Sequence, residues 1–271
     1  ATAVFPKNAR PDLDGEVFYQ IIIRSFCDSH GDGVGDIRGL TQKLDYLQEL
    51  GVTSIWVTPV FASHVYHNYF ADDFYSIDPS LGTLEDFRAL CKEIHKRKMK
   101  ILLDMETQYI SKEHPWFKKA IADPKSVYNG YIAWTDREEE IPMPALNNFA
   151  EAVGYNGTTV GIMTLNMNDR NLLEDEKKLY AYWLDPNRDG DLSDGVDGYR
   201  MDHMMDDLDS RHMFKGLLSG FWRPIVEYTR KIKPDIVYIA EPSDWAAQWD
   251  TVLDNSEFDG AFNISLRGSI L

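Results

Sequence analysis

The sequence predicts an α/β protein built on a parallel β-sheet whose two faces are covered by helices. Short, continuously apolar segments alternate with segments whose apolar residues recur at helical spacing, and three of the apolar segments end in an acidic residue. Continuously apolar strands are typical of parallel sheets that are buried on both faces. With 271 residues, the chain is long enough to form one large domain or two small ones with a sizeable core.

Three strands and two helices are predicted in the first half of the chain. The strands cover residues 17–23, 54–59 and 100–104, each of them an apolar run. Residues 40–50 carry leucines at helical spacing, which predicts a helix between the first two strands. A capping-box pattern at residues 83–86 predicts the start of the next helix.

Residues 105–171 interrupt this alternation. The segment has no clean period and is rich in Pro, Asn, Gly and aromatic residues, so at this length we interpret it as an inserted subdomain or functional insertion. The alternation then resumes, and residues 1–104 and 172–271 are predicted to form the two parts of one sheet domain. The elements predicted in the second part are helices at 172–184 and 221–232 and strands at 196–201, 236–240 and 258–263.

The composition excludes several classes of function. The chain has 28 Lys and Arg residues and 44 Asp and Glu residues, which gives a formal net charge of −16. This acidic balance argues against nucleic acid and anionic membranes as partners, and it suits a neutral or cationic substrate or bound metal cations. No apolar run approaches the roughly 18–20 residues that span a bilayer.

Acidic residues at the ends of three predicted strands are candidate catalytic groups. In parallel α/β barrels the active site lies at the carboxyl ends of the strands, where Asp104, Asp202 and Glu241 stand. Arg200 precedes Asp202 by two residues, so it points to the same side and favours the ionised form that a carboxylate nucleophile needs. Glu241 is the candidate general acid, and two carboxyl groups with such split roles are usual in glycoside hydrolysis. The alternative is that these acids only cap the following helices.

Two acidic loops are candidate calcium sites, because alternate oxygen-bearing side chains in a glycine-rich turn converge on a hard cation. The candidate ligands of the first loop are Asp28, His30, Asp32, the backbone carbonyl of Val34, and Asp36. Those of the second loop are Asp185, Asn187, Asp189 and Asp191. His30 is a poor calcium ligand, and the second loop lacks the bidentate Glu of an EF-hand. A solvated acidic turn is the alternative for both loops.

Aromatic residues near the predicted strand ends are candidate sugar contacts. His67 and Tyr69 follow the second strand, and Trp245 follows Glu241. An aromatic ring can stack on a sugar face, and an imidazole can form hydrogen bonds with hydroxyl groups. Ordinary packing is the alternative interpretation.

These motifs resemble, in order along nearly the whole chain, those of the α-amylase superfamily, glycoside hydrolase family 13. The matching segments are GDGVGDIRGLTQKLDYLQELGVTSIWVTPVF, YHNYFADDFYSIDPSLGT, ILLDM, DGVDGYRMD and IAEPSDW. The resemblance is closest to the bacterial α-amylases that degrade starch and maltodextrins. It implies a (β/α)8 TIM barrel in which domain B, residues 105–171, is inserted after strand three, and it implies retaining hydrolysis of α-1,4-glucosidic bonds.

The resemblance also implies roles for the candidate catalytic residues. Asp202 would be the nucleophile, Glu241 the general acid and base, and Arg200 the residue that orients and ionises Asp202. His67 and Tyr69 would line the subsite of the sugar that is attacked.

Further residues take implied roles, and some depart from the family pattern. Asp104 would support the site from the end of strand three, and the loop at residues 28–36 would bind calcium. Gln108 stands where an Asn often binds a second calcium ion, and Tyr109 stands where a His contacts the bound sugar. The first departure counts against the family's calcium site between domains A and B, and the second implies altered contacts in the sugar subsite.

The resemblance leaves the barrel incomplete, because we count six strands of eight and find no Asn-His-Asp segment carrying the family's last essential acid. We expect a companion chain, a cleaved remainder or a swapped second copy to complete it, and we expect this chain alone to be inactive. Polymeric glucans lie outside cells and the chain begins with Ala1, so we expect a secreted, periplasmic or cell-surface protein.

Other functions remain open at this stage. Within the same family they are hydrolysis of cyclodextrins or α-1,6-glucosides, and glucosyl transfer. The contrasting hypothesis is a non-catalytic carbohydrate-binding protein on an amylase-like scaffold. Such relatives lose the nucleophile, the acid or the Arg, whereas Arg200, Asp202 and Glu241 are all present here.

Overall fold

A curled sheet of six parallel strands organises the structure, a computed structural model that describes residues 13–243 and 249–263. The elements of its first part, in chain order, are β1 (Phe18–Ile21), α1 (Ile37–Gln42), α2 (Leu44–Glu49), β2 (Ser54–Val57), β3 (Phe61–Ala62), β4 (Asp73–Ile77), α3 (Leu84–Lys96) and β5 (Lys100–Met105). A turn of 3-10 helix at Ile23–Ser25 follows β1. The three strands predicted in this half are therefore confirmed, each shifted by a few residues at most.

Side-chain caps begin α1 and α3, two of the three helices of this part. The Asp36 carboxylate accepts the Gly39 N–H at 2.7 Å and starts α1. The predicted capping box is confirmed, because Thr83 and Asp86 each accept the other's backbone N–H at the start of α3. The single helix predicted at residues 40–50 is wrong, since the backbone of Lys43 (φ −100°, ψ 5°) separates α1 from α2.

The segment after β5 forms small sheets of its own. Its elements are β6 (Tyr109–Ser111), α4 (Pro115–Ala122), α5 (Val127–Tyr131), β7 (Trp134–Asp136), β8 (Ile141–Pro142), β9 (Glu151–Val153) and β10 (Thr159–Thr164). Strands β6, β10 and β9 form an antiparallel sheet, and β7 pairs with β8. This antiparallel pairing explains why the sequence loses its βα alternation here.

The alternation of strands and helices returns after this segment. The elements are α6 (Arg170–Leu184), β11 (Gly198–Met204), α7 (Arg223–Arg230), β12 (Val237–Pro242), α8 (Trp249–Ser256) and β13 (Gly260–Ala261). Turns of 3-10 helix occur at Leu192–Asp194 and Leu208–Ser210, and a π-helical turn at Leu218–Trp222 leads into α7. The helix predicted at 221–232 therefore starts two residues late as an α-helix, with Pro224 in its first turn.

The strand order of the sheet is β1-β2-β5-β11-β12-β13, and all neighbours are parallel. Large aromatic side chains such as Trp183, Trp222 and Tyr199 are fully buried in the core. Because the strands are parallel, their carboxyl ends all lie at one edge of the sheet. Within residues 13–243 and 249–263, no helix combines the length and the apolar character needed to cross a membrane.

Candidate active site

The three strand-end acids meet around Arg200. Arg200 lies opposite Asp104 in the register of β11 and β5, and β12 brings Glu241 from the other side. The guanidinium Nη1 lies 2.8 Å from Asp104 Oδ1 and also contacts the Asp202 carboxylate, while Nη2 lies 2.9 Å from Glu241 Oε2. One cation therefore holds three carboxyl groups in place at the carboxyl edge of the sheet.

Aromatic residues fix this arrangement from below. The Trp56 ring packs under the Arg200 guanidinium, whose central carbon lies 4.7 Å from the ring centroid. Asp104 is completely buried, and its Oδ2 accepts hydrogen bonds from Trp56 Nε1 at 2.9 Å and from the Tyr69 hydroxyl at 2.7 Å. Both carboxylate oxygens of Asp104 are therefore occupied by contacts with Arg200, Trp56 and Tyr69. Such a residue is better suited to support the site than to react with a substrate.

Burial and charge act in opposite directions on these acids. Burial raises the pKa of Asp104 to about 6 and that of Asp202 to about 7, while the positive charge of Arg200 opposes both shifts. Arg200 favours the ionised form of Asp202, as the sequence predicts, but the like charges of Asp104 and Glu241 add to the effect of burial. The raised pKa means that Asp202 loses its charge, and with it the ability to act as a nucleophile, at a higher pH than an ordinary Asp does as the pH falls.

A pocket of about 370 Å³ opens above this cluster. Its lining residues are His67, Tyr69, Phe70, Glu106, Tyr109, Leu146 and Asp202. The aromatic walls and the few polar groups suit a small ligand with a flat apolar face and polar edges. Burial lowers the pKa of His67, which favours the neutral imidazole.

Gln108 and Tyr109, the two residues that depart from the family pattern, both form hydrogen bonds with other parts of the site. The Gln108 side-chain amide donates to the backbone carbonyls of Asp202 at 2.9 Å and of His203 at 3.0 Å, so it links the segment between β5 and β6 to the last residues of β11. The Tyr109 hydroxyl donates to Asp209 at 2.6 Å, and its ring remains in the pocket wall. Tyr109 can therefore offer a ring face to a ligand, while its hydroxyl is engaged elsewhere.

The first acidic loop brings together part of its candidate ligand set. One ligand atom each of Asp28, His30 and Asp36 lie within 4.8 Å of one another. Two carboxylates and an imidazole form a donor set that fits a divalent cation. The Asp32 carboxylate lies outside this group. All three carboxylates of the loop also accept backbone N–H groups, such as that of Gly33 by Asp28 at 2.7 Å, that of Val34 by Asp32 at 2.8 Å and that of Gly39 by Asp36 at 2.7 Å.

The carboxylates of the second loop accept hydrogen bonds from their own backbone. Asp185 accepts the N–H groups of Asp189 and Gly190 at 3.1 and 2.9 Å, and Asp191 accepts that of Ser193 at 2.9 Å. The side-chain amide of Asn187 donates to Asp189 at 2.6 Å. In the described part of the chain, the first loop alone brings three His, Cys, Asp or Glu ligand atoms this close.

Other residues of the site fall outside the sequence-based prediction. Trp56, Phe70, Glu106 and Leu146 contribute to the cluster or the pocket without having been predicted. The sequence could have predicted Glu106, because it follows Asp104 by two residues and residues at this spacing point to the same side of a strand. Trp245, a predicted sugar contact, lies outside the described residues.

Comparison with known proteins gives consistent matches. Residues 20–255 match the family model described as alpha amylase, catalytic domain. Alpha-amylase 3 of Dictyoglomus thermophilum is 34% identical over 268 residues, which cover 96% of this chain and 50% of that protein. The probable oligo-1,6-glucosidase 2 of Bacillus subtilis is 36% identical over 200 residues, which cover 69% of this chain and 34% of that protein.

The solved structures agree with the sequence matches. The α-amylase from H. orenii superimposes with a TM-score of 0.73 at 30% identity, over 94% of this chain and 52% of that one. This likeness, together with the family match, confirms the predicted α-amylase-type TIM-barrel fold. The chain spans half or less of the length of the curated relatives named above.

Proposed function

Because this chain belongs to the α-amylase family, we propose that the whole protein is a retaining glycoside hydrolase that cleaves α-1,4-glucosidic bonds in starch and maltooligosaccharides. The observation that carries the proposal is the contact of Arg200 with Asp104, Asp202 and Glu241 beside the pocket. Retaining glycosidases need two carboxyl groups of different function flanking the bond that breaks.

The proposed reaction has two steps. Asp202 attacks the anomeric carbon and forms a covalent glycosyl ester, while Glu241 gives its proton to the glycosidic oxygen that leaves. Glu241 then takes a proton from water, the water oxygen attacks the anomeric carbon, and Asp202 leaves as a carboxylate. Arg200 stays cationic throughout, positions Asp202, and balances part of the negative charge of the cluster.

The α-1,4 linkage is supported by the relative from Dictyoglomus thermophilum, which is named an α-amylase and matches 96% of this chain. The presence of Arg200, Asp202 and Glu241 together argues against a non-catalytic binding protein.

A comparison of linkages tests this choice. We expect the whole protein to hydrolyse maltotriose with a kcat/KM at least about tenfold higher than for isomaltotriose or trehalose, because a pocket shaped for one linkage misplaces the others relative to the carboxyl groups. Product formation by each sugar under identical conditions gives the ratio. A preference for isomaltotriose would replace the α-1,4 assignment with α-1,6 hydrolysis.

The proposal extends to what surrounds this chain. We propose that a remaining segment or a companion chain supplies the other strands of the barrel, and that the complete enzyme acts on glucans at the cell surface, in the periplasm or outside the cell. Polymeric glucans do not cross membranes freely, which is the reason for this placement.

We further propose that calcium binds the loop at residues 28–36, held by Asp28 and Asp36 with His30 beside them. Removing the ion with a chelator should lower the melting temperature of the whole protein by several degrees, because a ligand present at about 100 times its Kd contributes about 2.7 kcal/mol of stability. Differential scanning calorimetry with and without chelator measures the shift.

Two variants locate the ion. Asp28→Asn should remove the response to chelator, whereas Asp189→Asn in the second loop should leave it intact. An unchanged melting temperature of the unmodified protein in chelator contradicts the calcium proposal. If only Asp189→Asn loses the response to chelator, the ion is bound by the second loop and not by the first.

A further inference from the structure

A carboxyl group without a role in the proposed reaction lies in the wall of the pocket. Glu106 follows β5 directly, two residues after Asp104, and it shares the pocket lining with Asp202. Its Oε1 accepts the N–H of Gln108 at 2.7 Å. Its Oε2 is buried and has no hydrogen-bond partner among the described residues.

An unpartnered buried oxygen is costly, so its position requires an explanation. An apolar side chain at residue 106 would avoid the desolvation of a carboxyl group in this wall. A ligand in the pocket that forms a hydrogen bond with Oε2 would offset the free energy lost by desolvating this carboxyl group.

We propose that Glu106 determines specificity by hydrogen bonding, through Oε2, to one hydroxyl group of the sugar ring that Asp202 attacks. This inference rests on the proposed function, since it places that ring in the pocket. The ligand class it implies is a neutral sugar that carries its full set of hydroxyl groups on the reacting ring.

The protonation state of Glu106 agrees with this role. Burial, followed by the negative charge of Asp202, raises the pKa of Glu106 well above its ordinary value. A protonated carboxyl group can donate through its O–H as well as accept, which a sugar hydroxyl can match in either direction. A Gln side chain, neutral and of similar shape, should therefore replace Glu106 with little loss.

Kinetics on a matched set of substrates tests the proposal. The probes are 4-nitrophenyl α-maltotrioside and analogues that lack one hydroxyl group each on the ring bonded to the aryl group, assayed with the whole protein. Glu106→Leu should lower kcat/KM for the parent by about 10- to 100-fold, and Glu106→Gln should stay within about threefold of the unmodified protein. Glu174→Leu is the control: it removes a surface carboxylate that pairs with Lys177 at 2.7 Å, and it should leave kcat/KM unchanged.

The analogues separate a substrate contact from a structural effect. The analogue that lacks the hydroxyl group bonded to Glu106 should have a low kcat/KM with the unmodified protein. Its kcat/KM should fall little further in Glu106→Leu, because the hydrogen bond is already absent when the hydroxyl group is missing. If the Leu variant does not fold, Glu106→Ala carries the same comparison.

Three results would overturn the proposal. The first is an unchanged kcat/KM for the parent in Glu106→Leu, and the second is an equal loss on the parent and on every analogue. In both, turnover by the unmodified protein leaves the proposed function standing. The third is an unmodified protein that cleaves neither the aryl α-maltotrioside nor maltotriose, which refutes the proposed function and this inference together.

Discussion

Replacing Asp202 with Asn should lower kcat on maltooligosaccharides by roughly 10⁴-fold or more, while binding of the same sugars persists. An amide has nearly the shape of the carboxylate but does not attack the anomeric carbon. Arg200 keeps its contacts with Asp104 and Glu241, so the cluster stays assembled. Steady-state kinetics gives the loss of kcat, and titration calorimetry gives the affinity.

A nearby acid provides the matched control for this substitution. Asp206 lies four residues after Asp202, outside the cluster, and its Oδ1 accepts the N–H of Leu218 at 3.1 Å. Asp206→Asn preserves an acceptor oxygen and should leave kcat within about threefold, as expected for a surface substitution. Turnover that survives in Asp202→Asn would mean that another group is the nucleophile.

Replacing Glu241 with Gln should have the second largest effect, and the effect should depend on the leaving group. Loss of the general acid should lower kcat on maltooligosaccharides by about 10²- to 10⁴-fold, because the sugar oxygen must be protonated as it leaves. An aryl glycoside with an acidic phenol needs no proton at this step, so its rate of glycosyl transfer to Asp202 should fall far less. Pre-steady-state release of the phenol measures that first step.

The role of Glu241 is tested by comparing how far the rate falls on maltooligosaccharides with how far it falls on the aryl glycoside. Glu113→Gln removes a surface carboxylate that pairs with Lys118 at 2.7 Å, and it should change neither rate. An equal loss on both substrates in Glu241→Gln would show that Glu241 does not act as the acid.

The position of the catalytic acids follows from simple rules, which is why the sequence predicts it. Parallel strands bring their carboxyl ends to one edge, and an acid at the end of β5, β11 or β12 must point there. The parity of Arg200 and Asp202 places both on one side of β11. The same parity applies to Glu106, and the prediction omitted it because the residue lies beyond the apolar run.

Other parts of the site depend on contacts that no local pattern contains. Trp56 bonds to Asp104 across 48 residues of sequence, so its role emerges only when β2 and β5 pair. The helix predicted at residues 40–50 breaks at Lys43 although its leucines keep helical spacing, because apolar spacing does not report the backbone angles of a single residue.

The acidic loops show a further limit of sequence patterns. Both loops place their candidate ligands at alternate positions, and the spacing alone does not tell whether these groups converge on a cation or only bond to backbone N–H groups. In the structure the carboxylates of both loops accept backbone N–H groups, but among the described residues only the first loop also brings ligand atoms of Asp28, His30 and Asp36 within 4.8 Å of one another. Short polar side chains in turns readily make such local bonds, so these two outcomes compete in any loop of this type.

Trapping the covalent glycosyl ester identifies the nucleophile itself, which we predict to be Asp202. A ring-fluorinated α-glucosyl fluoride slows both steps by destabilising the oxocarbenium-like transition state, while its fluoride leaves readily, so the glycosyl ester accumulates. Mass spectrometry of the intact protein and of its peptides should show one added glycosyl unit, located on Asp202 and absent in Asp202→Asn. An adduct on a different residue, or turnover that releases the inverted anomer with no adduct, would contradict the account.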